Sequence, residues 1–150
     1  MKIAKLYKDA VIPTRKHKGD AGLDLYCYLV DEEGPAYNYV VEPNAIVIFK
    51  TGITVEIPLN YFGWIANKSK KDYLIGGGII DETYQGELLV KVINTSGEIL
   101  YFSHGDAIAQ LLIIPCIHPE IELVDMVNIH KTRTSRSNDG GIVRQQRLIG

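Results

Sequence analysis

Apolar and polar positions follow the two-residue rhythm of strands rather than the rhythm of helices. Residues 1–7, 22–29, 37–42, 45–50, 52–57, 62–66, 78–80, 87–94, 98–103, 107–115 and 120–125 are expected as strands. They are short and rich in Val, Ile, Tyr and Phe, the residues that fit a pleated surface. Turn signals separate them: Glu33-Gly34-Pro35, Glu42-Pro43-Asn44, Pro58-Leu59-Asn60, Asn94-Thr95-Ser96-Gly97 and His104-Gly105-Asp106. Leu88–Ile93 is nearly all apolar apart from Lys91, which suits a strand covered on both faces. The best helical candidate is Ser69–Tyr73, one turn at most. Many short strands at close spacing predict an all-β fold, a sandwich or barrel of the jelly-roll type.

Composition narrows the picture further. The chain has 150 residues, with 46% hydrophobic and 23% charged, an ordinary globular mix that excludes disorder as the main state. No apolar run approaches the roughly 20 residues of a membrane helix, so no membrane partner is expected. The first residues, Met1-Lys2-Ile3-Ala4-Lys5, lack the apolar core of a secretory signal. Cys27 and Cys116 form neither a CxxC site nor a disulfide framework and read as small core residues, so a reducing cytoplasm is the expected location.

Charge is distributed unevenly. Residues 131–150 hold Lys131, Arg133, Arg136, Arg144 and Arg147 against Asp139 alone, a local +4. The total is −2, so the preceding residues carry −6. An acidic body repels nucleic acid, so no nucleic-acid partner is expected. The expected division is a β domain over residues 1–127 and a flexible basic arm over 128–150, too polar to order itself by burial.

Four segments carry candidate chemistry. Gly76–Glu87 combines three consecutive glycines, the Asp81-Glu82 pair, Tyr84 and Gly86. Three glycines let backbone approach a planar ligand and leave N–H groups to donate; the plainer reading is a Gly-rich hairpin with Asp81 as a turn residue. Asn67-Lys68-Ser69-Lys70-Lys71-Asp72 follows an apolar strand and reads as a phosphate cradle or as a solvated lysine loop. Asp24 lies between Leu23 and Leu25, where a carboxylate is either buried with partners or faces a site, and its hard oxygens suit Mg²⁺. Gln110 is the one polar side chain of an apolar strand, and backbone or ligand must satisfy its amide. His17, His104, His118 and His130 lack metal-ligand spacing and receive no role; His17 sits in a basic loop with Arg15, Lys16 and Lys18.

Together, Ala21-Gly22-Leu23-Asp24-Leu25, Asn67-Lys68-Ser69, Gly77–Glu87 and Gly105–Leu112 occur in an order that resembles the trimeric dUTPase family. The resemblance covers roughly residues 20–125, and Pro119-Glu120-Ile121-Glu122 fits downstream. It implies a jelly-roll subunit in a homotrimer, active sites drawn from more than one subunit, and Mg²⁺-dependent hydrolysis of dUTP to dUMP and pyrophosphate. By position it makes Asp81 the general base that aims water at the α-phosphorus. Lys68, Ser69 and the N–H of Lys70 would hold phosphate oxygens, Gln110 would assist near the α-phosphate, and Asp24 would hold waters of the Mg²⁺ shell. Backbone around Gly78, Ile79, Ile80 and Leu89 would read the uracil edge. Tyr84 would pack on the deoxyribose and exclude a 2′-hydroxyl.

Two departures from the family pattern stand out. Lys68-Ser69-Lys70 replaces the usual Arg-Ser pair, keeping charge but losing the planar fork. In the tail, Arg136 and Gly140-Gly141 match the last motif, but Ile142 replaces a stacking Phe; it can cover a base without stacking on it. Two alternatives share this fold. A related deaminase needs a glutamate where Lys91 stands. A non-catalytic dUTP-binding regulatory or structural homologue would keep the fold without turnover.

Overall fold

Thirteen strands and no helix are found among the residues that this computed structural model describes, 1–130. The all-β expectation therefore holds. The chain divides into two compact units, Met1–His118 and Pro119–Gly150. All strands lie in the first: β1 Lys2–Lys5, β2 Leu23–Tyr26, β3 Val30–Asp31, β4 Gly34–Pro35, β5 Tyr39–Val41, β6 Ile46–Lys50, β7 Ile53–Glu56, β8 Tyr61–Ala66, β9 Leu74–Ile75, β10 Ile79–Ile80, β11 Leu89–Ile93, β12 Leu100–Phe102 and β13 Ala107–Pro115.

Two sheets position the site. One has the order β10-β8-β13-β2, the other β6-β11-β9, and every pairing is antiparallel. Three two-stranded ribbons, β1-β7, β12-β5 and β3-β4, complete the unit. Side chains at alternate positions face one core of Leu25, Phe49, Ile65, Val90, Val92, Phe102, Ile108 and Leu111. Phe49 and Phe102 pack with centroids 4.9 Å apart. Turn chemistry agrees with the sequence: Asn44 and Asn60 adopt positive φ after Pro43 and Leu59, and the Ala45 and Tyr61 N–H groups close those turns.

Several expectations need correction. Residues 120–125 form no strand: no strand of the described residues pairs with them, and the Asp125 carbonyl accepts from the Asn128 N–H at 2.8 Å in a turn instead. An extended segment without a partner has no ladder to close. Ser69–Tyr73 contains a turn at Ser69-Lys70 but no helix. β11 is covered on one face only: Val90 and Val92 are buried, whereas Leu89 and Lys91 face outward. An apolar Leu89 on the open face had made the run look two-sided. The β3-β4 hairpin and β9 were not anticipated, because two-residue strands leave no periodicity to read.

Candidate active site

Strand register builds the site. β13 lies between β8 and β2, and Gln110 is paired with Ala66 on one side and Asp24 on the other. Directly opposed residues share a sheet face, so Asp24 and Gln110 project together beside the chain that leaves β8 as Asn67-Lys68. The phase depends on a β-bulge between Ala107 and Ala109, where Ile108 and Ala109 are both buried in succession. The extra residue turns Gln110 to the Asp24 face.

Side-chain bonds then lock the segments. Gln110 Nε2 donates to the Asn67 carbonyl at 2.7 Å, so backbone satisfies the buried-strand amide. The Asn67 side chain accepts from the Ile75 N–H at 2.9 Å and donates to the Tyr73 carbonyl at 2.8 Å. Tyr73 is itself buried, and its hydroxyl donates to the Ile108 carbonyl at 2.8 Å. Burial raises its pKa, so this hydroxyl stays protonated and keeps donating. Gly22 lies against Gln110: a Cβ there would overlap Oε1 and come within 2.9 Å of the Gln110 Cβ. Only glycine permits that approach.

The result is a cleft of about 690 Å³. Asp24, Lys68, Ser69, Lys70 and Gln110 line it, so three of the four sequence motifs converge. Lys68 Nζ forms an ion pair with Asp24, both largely shielded from solvent. Asp20, Lys71, Asp106 and Ala107, from the same segments, line it as well, and so do Lys16 and His17, which sequence reasoning had not placed there. The density of cations in residues 15–18, just before Asp24, was the available signal.

The Gly76–Glu87 motif stands elsewhere. Ile80 of β10 is paired with Gly63 near the start of β8, whereas Lys68 lies beyond its end. Six residues separate the level of Asp81 from Lys68, about 20 Å at the usual strand rise. Asp81 is exposed and opens a turn closed by Tyr84 N–H to its carbonyl at 3.0 Å. Its carboxylate accepts no hydrogen bond among the described residues. Tyr84 folds over Gly86, and its hydroxyl donates to the Glu87 carbonyl at 2.7 Å. The glycines are less available than expected: the Gly76 and Gly77 N–H groups donate to the Lys91 and Ile75 carbonyls, and the expected hairpin is absent, because β9 pairs with β11 and β10 with β8. Ile79 and Leu89 are exposed, and Gly78 accepts from Ile65 N–H at 2.8 Å. Arg136 and Ile142 lie outside the described residues.

An antiparallel β unit with a lysine-lined cleft beside strand-end carboxylates has the donor set that suits an anionic ligand. The dUTPase family model matches residues 8–141, and the chain belongs to that family. It is 31% identical over 146 residues to the deoxyuridine 5′-triphosphate nucleotidohydrolase of Picosynechococcus, covering 93% of this chain and 94% of that one. It is 36% identical over 131 residues to the vaccinia virus protein of the same name, covering 85% and 81%. Among solved structures, the dUTPase of Staphylococcus aureus phage phi11 superposes with a TM-score of 0.70 at 28% identity, covering 83% of this chain and 95% of that one. The jelly-roll expectation is met in that match.

Proposed function

We propose that this chain is a dUTP diphosphatase that hydrolyses dUTP to dUMP and pyrophosphate by water attack at the α-phosphate. The observation that carries the reading is the convergence of Asp24, Lys68, Ser69 and Gln110 on one lysine-lined cleft in a member of the dUTPase family. Lys68 and Lys70 neutralise phosphate oxygens, and the Ser69 hydroxyl adds a donor. Gln110, held by Asn67, stays in place beside the α-phosphate. Asp81 serves as general base, and its exposed carboxylate, without a partner among the described residues, supports that role. Tyr84 forms a wall for the deoxyribose, its ring held in place by the bond to Glu87.

Mg²⁺ fits this donor set. No group of three or more His, Cys, Asp or Glu side chains among the described residues could cage a metal. One carboxylate, Asp24, beside a polyphosphate suits an ion that keeps its waters and binds mainly to phosphate. When bound, the ion supplies charge neutralisation to the triphosphate.

The reading includes a homotrimer with sites shared between copies. The separation of about 20 Å between Asp81 and Lys68 along β8 supports it, because one chain alone does not bring base and phosphate cradle together. Exposed Ile46, Ile48 and Leu89 on the outer face of β6-β11 offer the apolar surface such packing buries. Arg136 and Ile142 are the residues we assign to closure over the nucleotide. The two cysteines are free, and our reading of the compartment is the reducing cytoplasm.

The test is pyrophosphate release from dUTP with Mg²⁺ by wild type and by Asp81→Asn. Turnover in the wild type and a loss of at least a hundredfold in the variant are expected. A wild type that binds dUTP without hydrolysing it would establish the non-catalytic alternative instead.

A further inference from the structure

The loop before β2 is built more firmly than a solvated lysine run needs to be. Thr14 forms an isolated bridge with Asp24, whose N–H donates to the Thr14 carbonyl at 2.7 Å. That bridge fixes the base of the loop beside the carboxylate that pairs with Lys68. At the tip, the Asp20 N–H closes a turn onto the His17 carbonyl at 3.2 Å, and Gly19 takes the positive φ of +95° that the turn requires. The Asp20 carboxylate accepts from the His17 N–H at 2.8 Å, and Arg15 Nε donates to the Asp20 carbonyl at 3.1 Å. Arg15 and Asp20 are thus spent on loop geometry. From this loop Lys16, His17 and Asp20 line the cleft, and of these Lys16 is the cation.

The charges around the cleft are also unequal in availability. Lys68 is paired with Asp24, and Asp106 accepts from the Ser103 N–H at 2.8 Å. Lys16, Lys70 and Lys71 have no ion-pair partner among the described residues. Two of these cations belong to the loop after β8 and the third to the loop before β2, and β8 and β2 flank β13 on opposite sides. A cleft with unpaired positive charge on both rims fits an extended polyanion better than a single phosphate group.

Resting on the proposed function above, we infer that Lys16, with the His17 ring beside it, is a second phosphate-binding arm. It holds the terminal phosphates of the substrate, those that leave as pyrophosphate, while Lys68 and Ser69 hold the part nearer the nucleoside. Nothing in the Lys-Ser-Lys motif supplies a planar fork, and a cation on the far rim offsets that loss by gripping the other end of the chain of phosphates.

Calorimetric titration with Mg²⁺-tripolyphosphate and separately with dUMP tests the inference without turnover. For Lys16→Glu, tripolyphosphate affinity should fall by at least tenfold and dUMP affinity should change by less than twofold. Lys16→Arg should restore tripolyphosphate binding. Unchanged tripolyphosphate affinity in Lys16→Glu, equal losses for both ligands, or no tripolyphosphate binding by the wild type would overturn it. Lys16 is exposed and outside every strand, so its variants should melt with the wild type. Failure of the functional reading would register separately, as absence of wild-type dUTP turnover.

Discussion

Gln110 Nε2 and the Asn67 carbonyl, 2.7 Å apart, join the centre of β13 to the first residue after β8. This bond sets where Lys68 and Ser69 begin, and Gly22 closes in from the β2 side against the same glutamine. Gln110 is therefore a positional hub for three segments.

Substituting Gly22→Ala should push Gln110 off that carbonyl. Overpacking of this kind costs about 1–3 kcal/mol, so melting should fall by several degrees. Turnover of dUTP should fall at least tenfold. The double variant Gly22→Ala/Gln110→Ala should recover stability but not turnover. Wild-type kinetics in Gly22→Ala would separate the Gln110 position from function.

The Asp24–Lys68 pair is partly buried, with side chains 13% and 24% exposed. Removing either partner leaves a poorly solvated charge. Asp24→Asn and Lys68→Met should each lower stability, and the double variant should lose less than the two losses combined. A urea-denaturation cycle should give a coupling of roughly 1–2 kcal/mol. Strict additivity would show that the pair contributes nothing to the fold.

The proposed sharing of sites between copies makes a mixing prediction. Asp81→Asn and Lys68→Ala should each be nearly inactive alone. Unfolded together in equal amounts and refolded, they should regain about a quarter of wild-type activity, because random assembly reunites intact halves at that frequency. A mixture as inactive as its parents would place both residues' functions within one chain.

Cys27 sets a pH dependence of stability. Its thiol is buried, donates to the Ser103 carbonyl, and is pushed by burial from 9.0 up to about 11. The folded chain therefore holds this proton where the unfolded chain has lost it. Stability is whole below pH 9 and declines as pH rises toward 11, by roughly 2–3 kcal/mol for this group. Denaturation curves should show a shallower alkaline decline for Cys27→Ala than for the wild type, measured from each protein's value at pH 8. Equal slopes would assign the decline elsewhere, Tyr73 being the next buried acid raised the same way.

Much of this was legible from residue order. Strand positions followed from apolar alternation, and Pro43-Asn44 and Leu59-Asn60 turned where their φ preferences demand. Residues 120–125 misled because β pattern marks a segment able to pair, not one that has found a partner. Leu89 misled because the residues of one strand do not say which of its faces is covered. Lys16 and His17 were visible as a basic run, but their bearing on the cleft depends on the Asp20 clamp and the Thr14–Asp24 bridge.

By itself, then, the sequence determined an all-β chain, its turns, and which residue types could handle a polyphosphate. Each of those is a local property, set by side-chain period, φ preference and charge. Only the tertiary structure decided that Asp24, Gln110 and Lys68 meet, that Lys16 faces them, and that Asp81 stands apart. Those are consequences of antiparallel register and one bulge in β13. A shift of a single residue there would turn Gln110 to the opposite face, and no local pattern records that choice.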